Sequence, residues 1–194
     1  MLGVPFITFL APGLIAMQVI QQSFSHSSSS FMISKIQGNI VDILYAPLSA
    51  IEVTLAISLA AVTRSVMIAV ISIFVFYLII DFEIQNYLML IIFTFLASFI
   101  LGNIGIIAGL WAEKFDHMAT VTNFVIIPLS FLSGTFYTIE RLPDFLQKIS
   151  LANPFFYMID GFRFAFIGQS DGSIMFGILY LSLIHISEPT RRYA

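Results

Sequence analysis

Long stretches without charge are the feature that most constrains this chain. No Asp, Glu, Lys or Arg occurs before Lys35, and residues 87–111 and 118–139 are also uncharged. Residues 53–80 contain a single charged residue, Arg64. About 20 apolar residues in an α-helix cross a bilayer core about 30 Å thick, because each residue rises about 1.5 Å. Backbone groups at that depth cannot bond water, so these continuous apolar stretches predict membrane-spanning helices.

The composition excludes several other classes of protein. The 194 residues are 59% hydrophobic and 10% charged, whereas soluble domains carry about 25% charged residues. A net charge of -3 excludes a basic nucleic-acid surface, and the lack of cysteine excludes disulfides and thiolate metal sites. The sequence has no phosphate-binding loop and no H-E-x-x-H zinc motif. We therefore predict no catalytic residue, no metal site, no cofactor bound by this chain and no enzymatic activity of its own.

The predicted fold is all-α, a polytopic transmembrane helical bundle in one domain over residues 1–180. Pro12 lacks a backbone donor, which predicts a kink or break in the first span. Ser49 followed by Glu52 has the pattern of a capping box at a helix start. The serine-rich residues 23–34 are predicted to form a helix end that faces solvent or a polar cavity. The predicted spans are about 4–24, 49–80, 86–112, 118–139 and 173–180.

Both ends of the chain are expected to be incomplete. Residues 181–194 begin with LSLIHISEPTR, which resembles a translated sequencing adapter over eleven consecutive residues. We expect this segment to be an artefact tail, and we expect the last span to be truncated at residue 180. Met1 lies inside an apolar run, so we expect the natural chain to begin earlier.

A short amphipathic helix is predicted at Ile36–Ala46, before Pro47. Its apolar residues recur at helical spacing, while its polar residues face elsewhere. The segment is far too short to span a bilayer. It either lies flat in the lipid interface or docks onto a partner protein, and the pattern alone does not choose between the two.

Two polar residues inside the spans are candidates for lining a conduit or pairing subunits, namely Arg64 and Asn103. A buried charge in a bilayer is costly, so an intramembrane arginine usually faces a partner or an aqueous cavity. The alternative for Arg64 is a helix that projects far enough for the side chain to reach the interface. Gly105 and Gly109 form a small-xxx-small pattern, which favours close packing between helices of the same chain.

The connection at residues 140–172 is predicted to form a re-entrant pair of short helices. Pro143 and the Asn153-Pro154 pair mark two helix starts, and neither helix has room to cross the membrane. Asp160 and Arg163 lie three residues apart on one helical face, which predicts an ion pair with a structural role. The distribution of Lys and Arg between the loops does not decide the orientation.

Four stretches in order resemble the membrane (permease) subunit of type-2 ATP-binding-cassette (ABC) exporters. They contain the motifs FLAPGLIAM, KIQGNIVDILYAPL, PLSFLSGTFY and LANPFFYMIDGFR. Together with their spacing they cover nearly all of residues 5–170. The stretches are residues 9–17, 35–48, 128–137 and 151–163.

The resemblance implies a six-helix domain of which this chain lacks the first helix and most of the sixth. It identifies Ile36–Ala46 as a cytoplasmic coupling helix held by a separate ATPase subunit. It also places residues 140–172 on the external face. The implied coupling residues are Lys35, Ile36, Gln37, Asn39, Ile40, Asp42, Ile43 and Leu44. The implied hairpin residues are Asn153, Pro154, Asp160 and Arg163.

The same resemblance implies the partners and the mechanism. The partners are an ABC ATPase subunit that holds ATP and Mg²⁺, a second permease copy and the lipid bilayer, without nucleic acid. The expected location is the bacterial cytoplasmic (inner) membrane, in which the chain is multi-pass and works by alternating access. An alternative stays open: an ATPase-independent channel, scaffold or membrane-embedded enzyme.

Overall fold

The computed structural model describes residues 4–80, 83–139 and 142–187, without the side chains of 43, 44 and 185–187. Its described residues form helices and loops and contain no strand. A π-helical turn at Thr122–Ile126 separates α5 from α6. The helices are α1 Phe6–Gln37, α2 Ile40–Tyr45, α3 Ala50–Tyr77, α4 Tyr87–Trp111, α5 Phe115–Val121, α6 Ile127–Phe131, α7 Asp144–Ala152, α8 Pro154–Ile167 and α9 Ile174–Ser187.

Three helices, α1, α3 and α4, are long and apolar enough to cross a membrane. They pack against one another, α8 packs against α4 and α1, and α9 packs against α8. Large apolar side chains cover the outer face of α3, for example Leu55, Met67 and Phe74. A soluble protein would bury such a continuous face, whereas lipid accepts it. The predicted all-α membrane bundle is confirmed.

The first helix is longer than predicted, because the serine-rich stretch belongs to it. α1 has 32 residues and ends only at Gln37, so residues 23–34 are not a helix end. Serine hydroxyls in this stretch donate to carbonyls one turn earlier in the same helix, such as Ser30 to His26 at 2.7 Å and Ser34 to Ser30 at 2.9 Å. These local hydrogen bonds satisfy the hydroxyls without ending the helix.

Pro12 does not break α1, which runs through it from Phe6. The capping box at the start of α3 is present: Ser49 Oγ accepts from the Glu52 amide at 3.3 Å, and Glu52 Oε2 accepts from the Ser49 amide at 2.7 Å. α3 ends at Tyr77, three residues before the predicted end. α4 occupies Tyr87–Trp111, within one residue of the predicted span at each end.

The glycines of α4 let it approach α1 closely. A Cβ atom built on Gly105 would lie 2.6 Å from the carbonyl oxygen of Phe24, and one on Gly109 would lie 2.8 Å from that of Ser28. Both contacts are with backbone atoms, which cannot move as a flexible side chain does. The small-xxx-small pattern therefore packs two helices of the same chain, as the sequence predicts.

The fourth predicted span, 118–139, is only partly helical. The π-helical turn ends where the Ile127 amide donates to the Thr122 carbonyl, and regular helix stops at Phe131. Gly134 has a φ of 75°, a left-handed conformation that favours glycine and ends the helical path. The residues after Phe131 form turns that face α8.

The last helix, α9, extends past the predicted truncation point at residue 180. It runs from Ile174 to Ser187, and its Leu181 side chain is buried. The first seven residues of the segment expected to be an artefact tail are thus helical here. Residues 188–194 lie outside the described residues.

Candidate functional site

The α1–α2 junction, residues 35–48, is the segment predicted to contact a partner. Gly38 has a φ of 79° and ends α1, so Ile36 and Gln37 belong to α1 and α2 begins at Ile40. The predicted single helix at Ile36–Ala46 is therefore wrong: a glycine in the left-handed conformation divides it into two pieces. The Asn39 side chain donates to the Gln37 side chain at 3.2 Å across this break.

Lys35 fastens the junction to the end of α4. Its Nζ donates to the carbonyl of Ala112 at 3.0 Å and also to the carbonyl of Leu110. These carbonyls lie at the C-terminal end of α4, where the helix dipole favours a cation. The exposed Trp111 between them is a typical interfacial residue. This end of α4 and Lys35 thus mark one membrane surface.

The junction exposes apolar side chains that no described part of the chain covers. Tyr45 is 86% exposed, and Val41, Leu48 and Ile51 are exposed around it. Asp42 is also exposed, and Ile40 is half-buried. Ile43 and Leu44 lie in α2, with side chains outside the described set.

Arg64 lies midway along α3 and is exposed. Its Nη1 donates to Nδ1 of His26 on α1 at 3.1 Å. Asn103 has a different environment: its Oδ1 accepts from Ser58 on α3 at 3.1 Å, and its Nδ2 donates to the Phe99 carbonyl at 2.9 Å. The structure therefore pairs Asn103 with α3 and with its own helix, α4, rather than bringing it to Arg64.

Arg163 lies at the centre of a buried polar cluster and has no exposed surface. Its Nη2 donates to the Gly134 carbonyl at 2.6 Å, and Nη1 lies 4.0 Å from Oδ2 of Asp171. The guanidinium carbon lies 3.9 Å from the centre of the Phe9 ring, a cation–π contact. The cluster joins α1, the turn after α6, α8 and the loop before α9.

The predicted Asp160–Arg163 ion pair is not the one that forms. Asp160 instead accepts from the amides of Asp171 at 2.9 Å and Gly172 at 3.0 Å, while Arg163 pairs with Asp171. Asp160 and Arg163 both lie in the middle of α8, but the loop before α9 supplies the carboxylate that pairs with Arg163. Burial raises the pKa of Asp160 to about 6, although the two amides and Arg163 act in the opposite direction.

Asn153 starts α8 as predicted and also joins it to α6. Its Oδ1 accepts from the Phe155 amide at 3.0 Å, while Nδ2 donates to the Leu129 carbonyl and to Ser133 Oγ, both at 2.9 Å. Pro154 is the first residue of α8, where its missing donor costs nothing. Residues 140 and 141 of the predicted hairpin lie outside the described residues.

Sequence reasoning missed two groups of residues. Phe9 and Asp171 lie far from Arg163 along the chain, and no local pattern connects them. The second group was predicted in part, because residues 23–34 were expected to face solvent or a polar cavity, but Gln18, Gln21 and Gln22 were missed. The non-buried positions of α1 between residues 18 and 30 recur at helical spacing, and all are polar. They are Gln18, Gln21, Gln22, Ser25, His26, Ser29 and Ser30.

The described residues bring together no group of three or more His, Cys, Asp or Glu side chains that could hold a metal ion. The polar clusters of the bundle consist of helix-packing contacts and the Arg163 network.

Comparison with known proteins agrees with this architecture. The ABC-2 type transporter family matches residues 1–167. The inner membrane transport permease YadH of Escherichia coli K12 is 31% identical over 184 residues, which cover 94% of this chain and 72% of YadH. The YadH proteins of E. coli O157:H7 and Shigella flexneri match with the same identity and coverage. No solved structure matches this chain significantly.

The family match covers most of the chain, and the three helices long enough to span a membrane agree with it. The matching relatives are inner membrane permeases. The chain belongs to the ABC-2 type transporter family, as a multi-pass permease subunit of an ABC transporter in the inner membrane.

Proposed function

We propose that this permease exports its substrate, that two copies enclose the conduit, and that a separate ATPase subunit drives it through the α1–α2 junction. In this proposal the ATPase subunit holds ATP and Mg²⁺, and this chain binds no cofactor. The junction lies on the cytoplasmic side, and the α7–α8 hairpin lies on the external side.

The exposed apolar surface of the junction carries this proposal. Val41 and Tyr45 of α2 and Leu48 after it are all exposed, and α2, a helix of six residues, cannot span a membrane. Aromatic side chains that fill a partner's pocket supply much of the energy of protein interfaces. The expected partner surface is a groove on the ATPase subunit of the transporter.

The contacts of Lys35 explain how a displacement of α2 would be transmitted to the membrane-spanning helices. Lys35 bonds the end of α4, and α1 packs along α4 through the Gly105 contact. A displacement of α2 therefore moves α1 and α4 together. ATP binding favours the closed ATPase pair, and that difference in affinity biases the bundle between inward-facing and outward-facing states.

The test replaces Tyr45 with alanine in the complete transporter. We expect Y45A to lower co-purification of the ATPase subunit at least about tenfold, because interface anchors contribute about 2 kcal/mol or more. Transport falls in parallel. The matched control is Phe74→Ala, another exposed aromatic residue (62% exposed) on the outer face of α3, which keeps the ATPase subunit bound.

Unchanged assembly and flux in Y45A would reject the junction as the coupling site. An ATPase-independent protein, the alternative function, predicts that no ATPase subunit co-purifies even with the unmodified chain.

A further inference from the structure

The outer face of α1 changes from apolar to polar partway along the helix. Phe6, Ile7, Leu10, Leu14 and Met17 occupy its non-buried positions near the start, together with the polar Thr8. From residue 18 to residue 30, every non-buried position is polar. We call these seven side chains the α1 stripe; they are Gln18, Gln21, Gln22, Ser25, His26, Ser29 and Ser30.

The α1 stripe lies at a depth where lipid cannot satisfy it. Lys35 and Trp111 mark one membrane surface, and His26 precedes Lys35 by nine residues, which is about 14 Å along the helix. That is close to the middle of a core about 30 Å thick. Arg64 lies at the same depth because it bonds His26. A side chain reaching about 6 Å cannot return to the interface from there.

The amides of the α1 stripe lack partners in the bundle. Among the residues that the structure describes, the side chains of Gln18, Gln21 and Gln22 make no hydrogen bond. An unpaired amide in hydrocarbon costs several kcal/mol. The stripe therefore needs water. At about 1.5 Å per residue it lies between about 8 Å and about 26 Å from the surface that Lys35 marks, on both sides of the membrane centre.

Arg64 and His26 give the α1 stripe a preference for anions. A guanidinium only donates hydrogen bonds, so His26 accepts through Nδ1 and carries its proton on Nε2. The pair thus presents only donors: the remaining guanidinium N–H groups and the Nε2–H. No described carboxylate lies within 4.0 Å of Arg64. The planar guanidinium matches the two oxygens of a carboxylate, phosphate or sulfonate.

We propose that the α1 stripe is a water-lined wall of the conduit and that Arg64 and His26 bind an oxyanion group of the transported molecule. This inference rests on the proposed conduit and adds a substrate class to it. The polar face suits the rest of a hydrophilic or amphiphilic solute, and the apolar positions before Gln18 close the wall at the other end.

The chain has no cysteine, so a single introduced cysteine shows directly whether water-soluble reagents reach the α1 stripe. In the complete transporter with its ATPase subunit in vesicles, we expect S25C to react with two membrane-impermeant methanethiosulfonates. With each rate taken relative to that reagent's rate with a free thiol in solution, the anionic sulfonatoethyl reagent should react faster than the cationic trimethylammonium-ethyl reagent. M67C, on the outer face of α3 and 60% exposed, is the control and should stay unlabelled because lipid covers it.

Substitution of Arg64 tests the source of the preference. We expect R64Q to lower the ratio of anionic to cationic labelling at S25C at least about fivefold, because one charge within about 10 Å changes the two rates in opposite directions. R64K keeps the charge and most of the ratio, which guards against misfolding of R64Q. Equal rates with Arg64 present, or a ratio that R64Q leaves unchanged, overturns the anion site.

Protection experiments identify the source of the oxyanion. In phosphatidylcholine vesicles, 1-pyrenebutyrate should slow labelling of S25C, whereas neutral 1-pyrenebutanol should not, and R64Q should abolish the protection. Protection by added phosphatidylglycerol instead assigns the oxyanion to a lipid headgroup. Lack of protection by either anion overturns the proposal.

The two proposals fail separately. If S25C stays unlabelled while the ATPase subunit still co-purifies, a second chain or lipid covers the stripe and only this inference falls. If Y45A keeps full assembly and flux while S25C shows the anionic preference, the coupling site falls and the anion site stands.

Discussion

At the scale of single residues, Arg163 has the greatest influence on the fold. It is fully buried and contacts groups from three other segments: Phe9 of α1, the Gly134 carbonyl after α6, and Asp171 before α9. Its Nε has no hydrogen-bond partner among the described residues. Removing one member of a buried charged pair costs more than the pair contributes, because the other charge stays desolvated.

We expect R163L to lower the free energy of unfolding of the detergent-solubilised transporter by about 3 kcal/mol. The leucine fills part of the space but leaves the Gly134 carbonyl unsatisfied and Asp171 without its cation. The stabilities of the unmodified transporter and its variants are compared by thermal unfolding, measured as the loss of the monodisperse peak in size-exclusion chromatography. The double variant R163L/D171L should lose at least about 1 kcal/mol less than the sum of the single variants. Strict additivity would show that the ion pair contributes nothing.

At the scale of helices, backbone proximity between α1 and α4 determines the packing of the bundle. Gly105 lies against the Phe24 carbonyl, whereas Gly102, one turn earlier, has its nearest neighbours at 3.4 Å, on the Ala61 and Ser27 side chains. Two hydroxyls, of Ser23 and Ser65, also join α1 to α3 at 2.5 Å. The three long helices are therefore held by close approach and small polar contacts, as is common in membrane bundles.

The two glycines of α4 offer a matched test. G105A forces α1 away from α4, and we expect it to destabilise the bundle by about 1–3 kcal/mol. G102A places its methyl group at an ordinary contact distance and gains helix propensity, so it should be neutral or stabilising by up to about 1 kcal/mol. Thermal unfolding of both variants in the same detergent measures the two changes in stability. Equal stabilities would mean that the bundle tolerates separation of α1 from α4.

At the scale of the whole molecule, apolar and polar surfaces occupy different sides of the bundle within the membrane. The outer face of α3 is apolar, and the α1 stripe is polar at the same depth. The exposed junction with Tyr45 lies at one end, and the α7–α8 hairpin follows α6. In the proposed exporter, the junction and the hairpin face opposite compartments.

Cysteine labelling in spheroplasts tests this orientation. We expect K148C, on the exposed side of α7, to react with an impermeant maleimide in intact spheroplasts. N39C, at the junction, should react only after the membrane is opened. The reverse pattern would place the junction outside the cell, where no ATPase subunit could bind it.

Much of the fold could be predicted because a bilayer leaves few options. Uncharged stretches indicated α1, α3 and α4, and the capping pattern at Ser49 indicated where α3 begins. Asn153-Pro154 indicated the start of α8. The predictions that were wrong concern where helices end or break. The serine hydroxyls of α1 donate to carbonyls of the same helix, and Gly38 divides the junction into two helices. Sequence periodicity does not register such hydrogen bonds or a single left-handed residue.

The amino-acid sequence alone determined that this chain crosses the membrane several times and has a short junction helix and a hairpin. These features depend on local hydrophobicity and caps, which are properties of consecutive residues. Only the tertiary structure decided that Arg163 pairs with Asp171, that Asn103 joins α4 to α3, and that the polar side of α1 faces outward beside Arg64. Those outcomes depend on which surfaces of separate helices meet, and that is fixed by packing between residues far apart in the chain.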